Sequence, residues 1–128
     1  MVTAITSGIK VSVETLFQDK QSDVKNSRYL FSYRITIENE TDRTVKLKRR
    51  RWDITDSSGE KHEVEGEGVV GEQPEIRPGE KYQYISGCEF RTEIGKMSGN
   101  YLMQCQLTNS FFKVNIPAFL MTVPYKLN

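Results

Sequence analysis

Apolar and polar residues alternate with period two along most of the chain, and no window of about 11 residues or more carries a convincing helical stripe. The clearest run sets Tyr29, Phe31, Tyr33, Ile35 and Ile37 on one face and Leu30, Ser32, Arg34, Thr36 and Glu38 on the other, the mark of a strand with one side in a core. Before it, Ile9, Val11 and Val13 alternate with Lys10, Ser12 and Glu14 in a first strand, and residues 18–23 read as a polar loop. After it, Asn39-Glu40-Thr41-Asp42 turns the chain.

The next strand contains a break in its own pattern. Val45 and Leu47 are apolar at odd positions, whereas Trp52 and Ile54 are apolar at even ones, so the inward face changes parity within residues 48–51, through a β-bulge or a switch between sheets. Asp56-Ser57-Ser58-Gly59 then reads as a hairpin turn with a three-residue loop and glycine at the left-handed position. That turn fixes a register: Ile54 opposite His62 and Trp52 opposite Val64 on the core side, with Asp53 opposite Glu63, Arg51 opposite Glu65 and Arg49 opposite Glu67 outside. Further on, residues 75–79 read as a turn and 81–85 as a strand. A long loop runs through Gly95, Met97 and Gly99, and a last hairpin joins 101–107 to 111–117. Phe31, Tyr33, Ile35, Trp52, Ile54, Val64, Met103 and Cys105 are the expected core. About six to eight short strands in one chain of 128 residues predict an all-β immunoglobulin- or fibronectin type III-like sandwich of about seven antiparallel strands, a single domain over 1–128, with a small barrel as the second choice.

Composition narrows the function classes. Eighteen basic against 17 acidic residues give a formal charge of +1, far from the basic excess of a general nucleic-acid binder. The amino terminus has no basic segment followed by an apolar one, and no run of about 18 apolar residues occurs, so no membrane span is expected and the cytoplasm is the expected compartment. Cys88 and Cys105 lack paired metal-ligand spacing and read as small buried apolar residues. His62 is the only histidine and falls on the core-facing row, which leaves a catalytic triad without a base. No catalytic residue, cofactor or metal is therefore assigned. Glu63, Glu65 and Glu67 form a carboxylate row that faces Arg49 and Arg51 across the hairpin, an ion-paired surface more than a cation cage.

Two features remain. Gly66-Glu67-Gly68-Val69-Val70-Gly71 spells GxGxxG, a spacing able to cradle pyrophosphate at a helix N-terminus. Pro74 and Pro78 follow at once with strand composition behind them, so no phosphate-capping helix starts here and a nicotinamide dinucleotide site is not expected. The second feature is the run Lys46-Leu47-Lys48-Arg49-Arg50-Arg51, which the hairpin brings back beside the glycine loop. Loop amides next to arginines form a candidate pocket for phosphate, pyrophosphate or diadenosine tetraphosphate, with Arg49 or Arg51 supplying charge to Gly66, Gly68 and Gly71.

The order of several segments is distinctive: Tyr29-Leu30-Phe31-Ser32-Tyr33, Arg51-Trp52-Asp53-Ile54-Thr55-Asp56, Val64 through Gly66-Glu67-Gly68-Val69-Val70-Gly71 to Gln73-Pro74, and Pro78-Gly79-Glu80-Lys81-Tyr82. With Gly95-Lys96-Met97-Ser98-Gly99-Asn100-Tyr101 and Ile116-Pro117-Ala118-Phe119, the chain resembles the ApaG family over nearly its whole length. The resemblance implies a fibronectin type III-like sandwich in a small bacterial cytoplasmic protein. It brings no reaction. The family is named from its genetic neighbourhood beside a diadenosine tetraphosphate hydrolase and is linked to cobalt and magnesium resistance. Related domains in an F-box protein and a DNA polymerase delta-interacting protein imply use as a protein-binding module. The expected function is thus a non-catalytic interaction module using Lys48, Arg49, Arg50, Arg51, Gly66, Gly68, Gly71 and Gln73, with a protein partner or a second copy of the chain. A small-anion or nucleotide polyphosphate binder at the same loop is the alternative.

Overall fold

In the computed structural model, which describes residues 1–126, the alternating segments form nine strands. They are β1 (Val2–Thr6), β2 (Ile9–Phe17), β3 (Tyr29–Asn39), β4 (Val45–Asp56), β5 (Lys61–Glu67), β6 (Glu75–Ile76), β7 (Lys81–Phe90), β8 (Ile94–Cys105) and β9 (Phe111–Thr122). One sheet runs β1-β2-β3-β7 and the other β5-β4-β8-β9, with β6 beside the start of β4; every pairing is antiparallel. The molecule is the expected all-β sandwich. The strands beyond about seven are β1 and the two-residue β6, the latter cut from a segment that reads as turn in the sequence.

Side chains from both inner faces interlock at an aromatic triangle. Tyr33 of β3 lies 5.5 Å from Trp52 of β4 and 5.8 Å from Phe119 of β9, and the Trp52 and Phe119 rings meet edge to face at 5.9 Å. Ile9, Val11, Phe31, Ile35, Leu47, Met97, Met103 and Val114 fill the core around it. At one end, buried Asn39 replaces water for three segments: its amide nitrogen donates to the carbonyls of Arg43 and Ile76, and its side-chain oxygen accepts from the Thr41 N–H and hydroxyl. This one side chain ties the turn after β3 to the short β6, which also pairs with β4 at Val45 and Lys46.

Two expectations are corrected. The segment through Gly95, Met97 and Gly99 is not a loop but the first half of β8, paired with both β4 and β9. Its glycines make room for neighbours: a Cβ on Gly99 would fall 2.0 Å from the Arg51 carbonyl oxygen, so here glycine marks close approach of strands. Val64 is exposed, not core, and the His62 side chain is 61% accessible. The 52–64 and 54–62 pairings hold as expected. The inner face of β5, however, opens onto a cleft shared with Cys88, Glu89, Phe90 and Arg91 at the far edge of the other sheet, so facing inward does not bury it.

The two flanks of the sandwich differ. On one, β1 and β2 pack against β9, and the Asn115 N–H donates to the Thr6 hydroxyl at 3.2 Å. On the other, β7 and β5 are both terminal strands, and the gap between them stays open as clefts. Trp52→Ala should lower stability by about 3–5 kcal/mol in urea denaturation, whereas Ile85→Ala on the exposed face of β7 should change it by under about 0.5 kcal/mol. A loss below about 1 kcal/mol for Trp52→Ala would show that the triangle does not hold the sheets together.

Candidate functional site

The parity break has a definite location. The β4 to β8 register slips between Leu47 and Arg49, so Val45 and Leu47 point inward before the slip and Arg50 and Trp52 after it. Released from the ladder, the Lys48 carbonyl accepts from the Gly68 N–H at 2.9 Å and from the Gln73 side-chain amide at 2.9 Å. The Pro74 carbonyl completes the attachment by accepting from the Leu47 N–H at 3.0 Å. The basic strand and the glycine loop are therefore brought together as expected, but through the backbone of Lys48.

The glycine loop is a closed turn. Val69 and Glu72 exchange both backbone hydrogen bonds, at 2.7 and 3.0 Å, around Val70 (φ 48°) and Gly71 (φ 78°), the paired left-handed conformations of a tight hairpin turn. Gly68, also left-handed, sits so close to the returning strand that a Cβ would lie 2.0 Å from the Glu72 carbonyl. The amides of Gly68, Val69 and Glu72 all donate inside the protein. Buried Val69 anchors the turn in the core while Val70 is exposed, and the chain continues into β6 with no helix.

The three arginines of β4 have three different surroundings. Arg51 faces out and is neutralised by Glu65 at 2.9 Å, Glu63 at 3.1 Å and Asp53 at 3.4 Å. Glu63 first and Asp53 second hold its guanidinium even further above its usual range. Arg49 faces out beside Leu102, Lys113 and Asn100 and makes no ion pair with Glu67, although the strands align them as expected. Arg50 points in. Its Nη1 donates to the carbonyls of Glu67 and Gly68 at 2.9 and 3.0 Å, and the guanidinium rests on Gly66, where a Cβ would be 2.9 Å from two of its nitrogens.

Arg50 opens onto a cleft of about 200 Å³ lined by Tyr33, Trp52, Tyr84, Ser86 and the Val69-Val70-Gly71 turn. Tyr84 hydrogen-bonds the hydroxyl of Tyr101, which is fully buried. Desolvation pushes the Tyr33, Tyr84 and Tyr101 hydroxyls above their ordinary range, with Arg50 pulling weakly the other way, so all three stay protonated at neutral pH. Sequence reading grouped Arg50 with its neighbours and missed the tyrosines. The even parity of Trp52, carried back to Arg50, is the signal that could have found them.

The carboxylate row of Glu63, Glu65 and Glu67 is in the expected register, and no group of three or more His, Cys, Asp or Glu among the described residues is arranged to hold a metal ion. Both cysteines are free. Cys105 is buried, and burial pushes the half-buried Cys88 thiol up to about 11. Among the described residues no helix is long and apolar enough to cross a membrane.

The ApaG domain family model matches residues 19–105. Protein ApaG of Brucella anthropi is 48% identical over 124 residues, spanning 97% of this chain and 95% of that protein, and Protein ApaG of Brucella canis is 46% identical with the same coverage. Among solved structures, an X-ray structure of a structural genomics target superposes with a TM-score of 0.89 at 39% identity, covering 98% of this chain and 94% of its own. The crystal structure of an ApaA protein from Bordetella pertussis gives 0.87 at 38% identity, covering 91% and 94%.

The loop geometry sets an expectation for stability. Val70→Asn should stabilise by about 1 kcal/mol, since a β-branched residue is the costly choice in the left-handed region and Val70 buries little. Gly68→Ala should destabilise by about 1–3 kcal/mol through the Glu72 clash. Urea midpoints measure both, and a destabilising Val70→Asn would contradict the strain assigned to this turn.

Proposed function

The chain belongs to the ApaG family, and on that premise we propose that it is a non-catalytic interaction module whose open flank docks an extended segment of a protein partner. The single observation that carries this reading is the unpaired outer edge of β7 beside the clefts. An edge strand offers a row of backbone donors and acceptors to any strand laid against it, and proteins usually protect such edges with charge, bulges or cover. The other terminal strand of this flank, β5, is protected in that way by Glu63, Glu65 and Glu67. Between Gln83 and Cys88, β7 carries no charge, and Ile85 is 64% exposed on it. The opposite flank is covered by its own packing.

On this reading the bulge at Lys48, the turn at 68–71 and Gln73 form the rim that orients the partner at one end of β7. The family's link to cobalt and magnesium resistance then runs through the partner and not through a resident cation. The cytoplasm is the compartment in which the module would act. A nucleotide polyphosphate held by the glycine-loop amides is the weaker reading, because those of Gly68, Val69 and Glu72 already have acceptors.

The test combines capture from source-cell lysate with amide exchange. The intact protein and an Ile85→Lys variant, whose added charge blunts the edge, are used as baits, and hydrogen exchange is followed across residues 81–90 in the complex. Partner binding should slow exchange in β7, and the variant should capture at least about fivefold less. Unchanged capture by the variant, or protection confined to other strands, rejects β7 as the docking edge. Turnover of diadenosine tetraphosphate above background by the purified protein rejects the non-catalytic reading.

A further inference from the structure

The Arg50 cleft is rich in donors and poor in acceptors. Both N–H bonds of Nη1 are committed to the Glu67 and Gly68 carbonyls, which leaves Nε and Nη2, one fork of the guanidinium, with no acceptor among the described residues. Unlike Arg51, Arg50 makes no ion pair there. The lining residues add the hydroxyls of Tyr33, Tyr84 and Ser86 and contribute no carboxylate; Tyr33 and Ser86 are hydrogen-bonded to each other, which commits one of their two hydrogens and leaves the other for a ligand.

The direction of one hydroxyl follows from burial. Tyr101 is sealed in the core with the Tyr84 hydroxyl as its hydrogen-bond partner. A buried donor left without an acceptor is costly, so the favoured arrangement has Tyr101 donating to Tyr84. The Tyr84 hydrogen is then free to turn toward Arg50. A cationic fork and convergent hydroxyl donors, with no anion of their own, match an acceptor that is itself charged. The volume of about 200 Å³ sets the scale. It lies below the roughly 300–1,000 Å³ of sites that enclose drug-sized ligands, so the cleft encloses one anionic group, with the rest of any larger molecule outside it.

We infer that this cleft is an oxyanion site, taking a single phosphate or carboxylate group between the Arg50 Nε–Nη2 edge and the hydroxyls of Tyr33, Tyr84 and Ser86, with the Val69-Val70-Gly71 turn as its outer wall. It goes beyond the docking reading and is independent of it: an isolated anion can bind here whether or not a strand adds to β7. It also differs from a glycine-loop phosphate cradle, since the charge comes from Arg50 and the donors are side chains.

Amide NMR of the full chain tests the site by titration with inorganic phosphate, phenyl phosphate and acetate at ionic strength held constant with sodium chloride. Saturable shifts centred on Val70, Gly71, Tyr84 and Ser86 are expected for at least one of them. Tighter binding of phenyl phosphate than of inorganic phosphate would mark the group as the end of a larger molecule, and the reverse order would mark a free ion. Arg50→Gln should weaken binding about tenfold or more, and Arg49→Gln should leave it unchanged. Because Arg50 also holds two carbonyls, Tyr84→Phe provides a second measure with an expected loss of at least about threefold. No saturable shift up to about 50 mM of any probe, shifts centred on Arg49 and Lys113, or equal affinity in the Arg50→Gln and Tyr84→Phe variants would overturn the proposal.

Discussion

One extra residue in β4 organises this molecule. Without the slip between Leu47 and Arg49, a strand that begins with Val45 and Leu47 inward would place Arg49 and Arg51 in the core and Trp52 in solvent. With it, Trp52 completes the aromatic triangle with Tyr33 and Phe119, and the Lys48 carbonyl is released to accept from Gly68 and Gln73. The same slip thus joins the two sheets through the core and fixes the glycine loop at their rim. It also sends a single arginine, Arg50, to the inner side.

Charge is distributed according to that geometry. Outside, Arg51 meets Glu63, Glu65 and Asp53, exposed pairs that water and salt screen and that add little stability, while the charge keeps β5 from pairing with another chain. Inside, the Arg50 Nη1 is held by the Glu67 and Gly68 carbonyls, which do not cancel its charge, and its other edge faces a cleft lined by Tyr33, Tyr84 and Ser86. A dense run of basic residues is therefore two electrostatic environments separated by the thickness of one strand.

The asymmetry of the flanks follows from how the chain ends each sheet. Where β1 and β2 lean on β9, the two layers meet and close. Where β7 faces β5, the layers stay apart, and inward positions such as His62 and Val64 see a cleft. Both clefts of this flank, and the uncharged middle of β7, lie on the side that packing leaves open.

Much of this was legible in residue order. Period two specified the strands, because each inward row of Tyr29 to Ile37 has to be buried on one face. The Asp56-Ser57-Ser58-Gly59 turn fixed the β4 to β5 register residue by residue: the Asp56 carboxylate accepts from the Ser58 and Glu60 amides, with Gly59 at φ 90°. The parity change announced the bulge. Other properties needed the third dimension. A glycine in sequence means either a turn or a close contact, and only the pairing of 94–99 with β4 and β9, with the Arg51 carbonyl over Gly99, shows that here it is a close contact. An inward parity means burial only where the opposite sheet reaches, and that depends on strand order, which local pattern does not carry. The partnership of Arg50 with Tyr33, Tyr84 and Ser86 joins β3, β4 and β7 across two sheets, so it exists only once the sandwich has closed on one flank and stayed open on the other.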